Sequence, residues 1–334
     1  MDWLAELYQR GANRGVQFAT ADVLPAADAN ILIYMSPPGS PDDVVALKKK
    51  NPDLITILMT YETAMGARYL LNPQNLVAYD AVITYDKRLI DDERYFYFGP
   101  RAYYRHRIRE GLPFEERRVA CLVGTNRKMR YRSGLFTMKK GWHFSFRDWL
   151  DYAFCPGQLI TYRSRVGSAC ARYPADGFDI YGEGWELLPE TAHIFRGVPT
   201  ESTLAYAGKY RYSFAFENHT GDASLISERI WDAFWGDTVP VYLGNKQISD
   251  FVPRDSYIDA SQFENPKEML DWLARSSKDS WSKHHEAGRE FIRSPVIEKF
   301  LPESFAEQFL QQLTCIAARN RAGAIPKQPQ SANN

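Results

Sequence analysis

Short apolar runs alternate with polar, helix-patterned stretches along the first hundred residues, predicting strands at 16–20, 29–35, 54–61, 81–84 and 95–98 and a helix over 41–50. Strands interleaved with helices make a parallel α/β sheet. The helix ends in Lys48, Lys49 and Lys50, which complement its negative end and read as a solvated terminus. A second α/β series opens with a strand at 118–126. It continues with a helix after Tyr162, a strand at 178–181, a glycine-rich turn at 182–185 and an aromatic strand at 212–218 that ends in polar residues. Ile226, Ile230, Trp231, Phe234 and Trp235 recur at helical spacing, so Ser227 is predicted to cap a helix that stops near Gly236. Glu228 and Arg229 then fall in its first turn, the positive end where anions bind. A buried strand follows at 238–244, with Pro240 close to its start.

Beyond it, 272–293 reads as a charged helix whose His284 and His285 are expected on a solvated face, and 300–318 as a closing amphipathic helix. The stretch 319–334 has the composition of a disordered tail. This divides the chain into an N-terminal domain at 1–115, a second at 116–300 carrying a basic, aromatic-rich insertion at 127–160, the closing helix and the tail. The insertion reads as an acceptor or membrane-surface flap, or equally as a packed insertion with solvated basic faces.

The chain has 334 residues, enough for two domains, and its 41 basic side chains equal its 41 acidic ones. Zero net charge removes any global argument for nucleic acid, so an anion site must be local. Cys121, Cys155, Cys170 and Cys315 are scattered, and the six histidines show no ligand spacing, so neither a disulfide framework nor a zinc site is indicated. The amino terminus is a short amphipathic helix, shorter than a signal or spanning segment. Core thiols and no anchor give the expectation of a cytoplasmic protein, with peripheral contact at the inner membrane as an added option.

Glu62 ends the strand at 54–61, and carboxyl ends of parallel strands are where open α/β sheets build sites. Position alone leaves it among many solvated strand-end carboxylates.

Phe216-Glu217-Asn218, Leu225-Ile226-Ser227-Glu228-Arg229 and Val239-Pro240-Val241-Tyr242-Leu243-Gly244 together resemble the signature of glycosyltransferase family 10, the α1,3/α1,4-fucosyltransferases. The resemblance continues through 251–259 and 263–273. Two positions depart from the pattern. Leu225 stands where an aromatic is usual, which opens the donor preference, and Arg229 stands where Lys is usual, which keeps the cation and adds a fork of donors.

The resemblance implies a GT-B architecture, two Rossmann-like α/β domains facing across a cleft, with the donor held mainly by the second. It implies inverting transfer of L-fucose from GDP-fucose to an oligosaccharide or glycolipid acceptor, with no cofactor. Glu62 would be the base, Arg165 and Arg229 would hold the diphosphate, and Asn218, Glu228 and Leu225 would line the nucleotide sugar. Arg163, two residues from Arg165, could trade places with it. No Asp-x-Asp element occurs, so no metal is expected and protein cations must meet the leaving group. Family members begin with a strand ahead of the opening helix, so its lack here implies a trimmed first domain or a late start. Two other readings stay open, the same fold with another nucleotide sugar and a catalytically silent nucleotide- or glycan-binding module.

Overall fold

The computed structural model describes residues 3–35, 41–60, 76–102, 110–126, 157–199, 208–221 and 225–322. They form two compact α/β units, one drawn mainly from the two ends of the chain and one from its middle.

The first unit holds a parallel sheet in the order β1 (Ile31–Tyr34), β2 (Ile55–Met59), β3 (Ala81–Thr84), β4 (Tyr95–Tyr97). Ile55, Ile57 and Met59 point to one face, where they meet Trp3 and Leu7 of α1 (Trp3–Ala12) and Phe305 and Phe309 of the long terminal helix. Leu58 and Val82 point to the other, against Tyr79 and Val44 of α2 (Pro41–Lys50). Burial on both faces explains why these strands read as unbroken apolar runs.

Two expectations for this unit are corrected. The stretch 16–20 forms no strand, because Val16 N donates to Gly11 O (2.9 Å) and Phe18 packs against Tyr8, so the segment closes α1 instead of joining a sheet. Lys48 is not a solvated end. It pairs with Asp80, which also accepts from Thr56 N (2.8 Å) and Thr56 Oγ1 (3.0 Å).

The second unit is a parallel sheet in the order β6-β5-β7-β8-β9, built from β5 (Arg118–Val123), β6 (Phe178–Tyr181), β7 (Tyr210–Phe216), β8 (Val239–Leu243) and β9 (Ile258–Asp259). Counted within the unit this is 2-1-3-4-5, a doubly wound order whose direction reverses between β5 and β7. Pro240 is accommodated because β9 pairs only with Val241 and Tyr242. One face of the sheet packs on α3 (Ile160–Ala171) through Val166 and Cys170, and on α5 (Pro266–Arg275) through Met269, Leu270 and Leu273. Gly167 lets α3 come close, since a Cβ there would lie 2.2 Å from the Trp185 ring. Trp185 Nε1 in turn donates to Gly124 O (2.7 Å), fixing the carboxyl end of β5.

The short helix α4 (Arg229–Trp235) and α6 (Lys278–Arg293) meet through Trp231, Phe234 and Phe291. The helical stretch expected at 272–293 is thus two helices, broken where Ser277 caps α6 by accepting from Ser280 N (3.2 Å). His285 is also corrected. It belongs to the buried stripe of α6 with Trp281, Gly288 and Ile292, stacks on Trp281 (4.2 Å) and bonds Asp237 Oδ1 through Nε2 (2.8 Å). The terminal helix α7 spans Pro302–Arg321, so 319–321, expected in a disordered tail, are helical. No helix among the described residues is long and apolar enough to cross a membrane.

Candidate functional site

The reversal between β5 and β7 marks where a doubly wound sheet leaves a crevice at its carboxyl end. There β7 stops at the buried Phe216 and is followed by two polar residues, Glu217 and Asn218. Glu217 N still donates to Leu243 O (2.8 Å), so the ladder with β8 holds this residue in place.

The Glu217 side chain is 2% exposed. Its Oε1 accepts from Ser227 N (2.8 Å), and its Oε2 accepts from Ser227 Oγ (2.7 Å) and Arg229 Nη1 (3.1 Å). Arg229 Nη1 also donates to Ser227 Oγ (2.7 Å), closing a ring of three side chains. Burial pushes the Glu217 carboxyl above the usual range, opposed by Arg229 and by the Ser227 hydroxyl and amide. Burial disfavours the Arg229 cation, yet the Glu228 and Glu217 carboxylates more than offset this and raise its pKa. The neighbouring Tyr242 phenol is raised well above its normal value, first by burial and then by Glu217. Tyr242 therefore stays neutral, and its oxygen accepts from Asn245 N (3.0 Å).

This geometry corrects the expected cap. Ser227 spends its hydroxyl on Glu217 and Arg229, and Glu228 occupies the cap position with no side-chain cap bond. The helix is one of seven residues, so Arg229 does not stand at the positive end of a long helix dipole.

Asn218 stands beside a second guanidinium. Arg163 Nη2 donates to Phe216 O (2.8 Å), Glu217 O (3.1 Å) and Asn218 Oδ1 (3.1 Å), and the residue is 4% exposed. Asn218 O accepts from Leu159 N (2.9 Å) just ahead of α3. Arg165 is placed differently. Two residues turn a helix by roughly 200°, so Arg165 lies exposed on another side of α3. Glu228 is partly buried beside Arg229, and Leu225 is partly buried just ahead of Ile226. Glu62 and residues 127–156 of the expected insertion lie outside the described residues. Among the described residues no group of three or more His, Cys, Asp and Glu is gathered as metal ligands.

Glu217 carries no expected role in the sequence pattern. The available signal was an acid continuing a buried strand without a break, opposite a glycine at the end of the next strand. Arg163 was visible only as an alternative, since choosing between Arg163 and Arg165 needs the phase of α3.

Residues 177–299 match the family model "Glycosyltransferase family 10 (fucosyltransferase) C-term". That segment belongs to glycosyltransferase family 10. It contains Glu217, Asn218, Ser227, Glu228, Arg229 and Gly244. The chain is 33% identical over 78 residues to an α-(1,4)-fucosyltransferase of Arabidopsis thaliana, covering 23% of this chain and 19% of that protein. It is 35% identical over 104 residues to the human GDP-fucose protein O-fucosyltransferase 3, covering 30% of this chain and 22% of that protein. The chain thus spans about a fifth of the length of these curated relatives. Anabaena Alr3699/HepE, solved in complex with UDP and glucose, superposes with a TM-score of 0.52 at 10% identity, over 88% of this chain and 80% of that one. Together with the two parallel sheets, this gives the chain the expected GT-B class of fold, two Rossmann-like α/β units.

Proposed function

We propose that the protein is an inverting glycosyltransferase that moves L-fucose from GDP-fucose to a saccharide hydroxyl, an N-acetylglucosamine or glucose unit of a surface glycan. The observation that carries this reading is the ring of Glu217, Ser227 and Arg229 at the carboxyl end of β7, inside the family 10 segment. Arg229 presents a cation to the donor diphosphate, and Arg163 takes the place expected of Arg165 because it is the arginine beside Asn218. Asn218 and Glu228 position the nucleotide sugar. Glu62 accepts the acceptor O–H proton as the new bond forms at the anomeric carbon, on the face opposite the departing GDP. The leaving diphosphate is met by guanidinium groups, in keeping with a sequence that has no Asp-x-Asp element.

A cytoplasmic setting is part of the reading. Cys121 and Cys170 are buried free thiols, and burial pushes the Cys121 thiol up to about 12, which suits structural cysteines in a reducing compartment.

Leu225, in place of the usual aromatic, favours a second reading in which the donor is another nucleotide sugar. Thermal unfolding with GDP, UDP and dTDP separates the two, because a ligand of the native state at 100 times its Kd adds about 2.7 kcal/mol. A donor screen against a saccharide panel, read by mass spectrometry, then tests turnover. Preferential stabilisation by GDP and a fucosylated product are expected. Stabilisation by another nucleotide alone excludes the GDP-fucose reading.

A further inference from the structure

We propose that Glu217 is a positioning residue for the sugar donor, clamping one end of the Arg229 guanidinium through Ser227 so that its other end is presented to the diphosphate. This rests on the reading of the site as a donor site.

The clamp is over-determined. Glu217 is held by its own backbone bond to Leu243, by the Ser227 amide on Oε1 and by the Ser227 hydroxyl on Oε2. Its Cγ occupies space open only because residue 244 is glycine. Arg229, in contrast, is held through one nitrogen. Nη1 makes both of its hydrogen bonds, while Nη2 and Nε have no hydrogen-bond partner among the described residues, and the side chain keeps 25% exposure. A guanidinium is planar and rigid, so fixing Nη1 at two oxygens fixes the directions in which the remaining N–H groups point. Those directions suit the paired oxygens of a phosphate, which an arginine fork recognises bidentately.

Glu217 also sets the charge. A lone guanidinium would attract any anion, whereas here the Glu217 carboxylate, together with that of Glu228, offsets the Arg229 cation. Binding then depends on matching the N–H directions more than on bulk attraction. Asn218 follows Glu217 directly, and Arg163 holds both the Glu217 carbonyl and the Asn218 side chain, so the backbone that carries the clamp is itself fixed.

A double-mutant cycle tests the proposal, with GDP as the probe and affinity measured by calorimetry on Glu217→Gln, Arg229→Met and the double variant. Glu217→Gln is expected to weaken GDP at least tenfold and Arg229→Met at least as much, with the double variant within threefold of Arg229→Met. In turnover the donor KM should rise and the acceptor KM should not. Additive losses in the double variant, or parent-like GDP affinity in Glu217→Gln, overturn the positioning role while leaving the donor site standing. Should Glu217→Gln fail to fold, Ser227→Ala removes the bridging hydroxyl and is expected to weaken GDP at least threefold, and parent-like affinity there overturns the proposal. A parent protein that binds none of GDP, UDP or dTDP overturns the functional reading and this role together.

Discussion

A Cβ on Gly244 would lie 2.4 Å from Cγ of Glu217 and 2.7 Å from the Tyr242 hydroxyl, so the carboxylate at the end of β7 fits only against a glycine at the end of β8. The obstruction includes the root of a clamped side chain, which cannot simply swing aside. Gly244→Ala should therefore cost roughly 1–3 kcal/mol by overpacking and weaken GDP as well. Urea unfolding and calorimetry check both, and an alanine variant matching the parent in each would show that the strand end tolerates rearrangement.

Arg163 and Arg165 should separate cleanly. Arg163→Met strips a buried guanidinium from the carbonyls of Phe216 and Glu217 and from Asn218, and should cost about 2–4 kcal/mol as well as GDP affinity. Arg165→Ala removes an exposed side chain and should change stability by under about 0.5 kcal/mol. Equal effects of the two substitutions on GDP affinity would mean that the placement on α3 does not decide which arginine serves the donor.

Acid sensitivity should trace to Asp237. Despite burial, bonds from His285, Arg117 and Gly111 hold its carboxyl down at about 2, from an ordinary 3.8. A depressed carboxylate stabilises the fold fully above its unfolded pKa and loses that contribution as pH falls through its folded pKa, here between pH 4 and 2. The shift corresponds to about 2 kcal/mol. Asp237→Asn should flatten the fall in stability over that window, measured by urea unfolding from pH 5 to 2.5. An unchanged profile would place the acid-labile group elsewhere.

Glu62→Gln should abolish transfer, by at least about 100-fold as expected for a lost general base, while GDP binds as before. Quench-flow turnover and calorimetry on the same preparation decide it, and a variant as fast as the parent removes Glu62 from the chemistry.

Much of the fold was legible because strands buried on both faces leave unbroken apolar runs. Ala81–Thr84 and Phe178–Tyr181 coincide with the expected strands, and Pro41–Lys50 with the expected helix. What failed involved long-range partners. Phe18 sits in an apolar run that serves a helix end, Lys48 finds Asp80 across the first unit, and His285 finds Asp237 48 residues away. At the site, the family pattern singled out Asn218, Glu228 and Arg229, which lie just past β7 and at the start of α4. Ser227 looked like a cap because serine before an apolar helix usually is one. Its actual partner, Glu217, is ten residues back in the sequence, a distance that no local pattern encodes.

A crystal structure with GDP measures directly where a nucleoside diphosphate binds. The diphosphate is predicted within about 3.2 Å of Arg229 nitrogens, with Glu217 still holding Nη1 from behind and Asn218 alongside. GDP bound elsewhere, or bound here with the Arg229 guanidinium turned away from its phosphates, would contradict it.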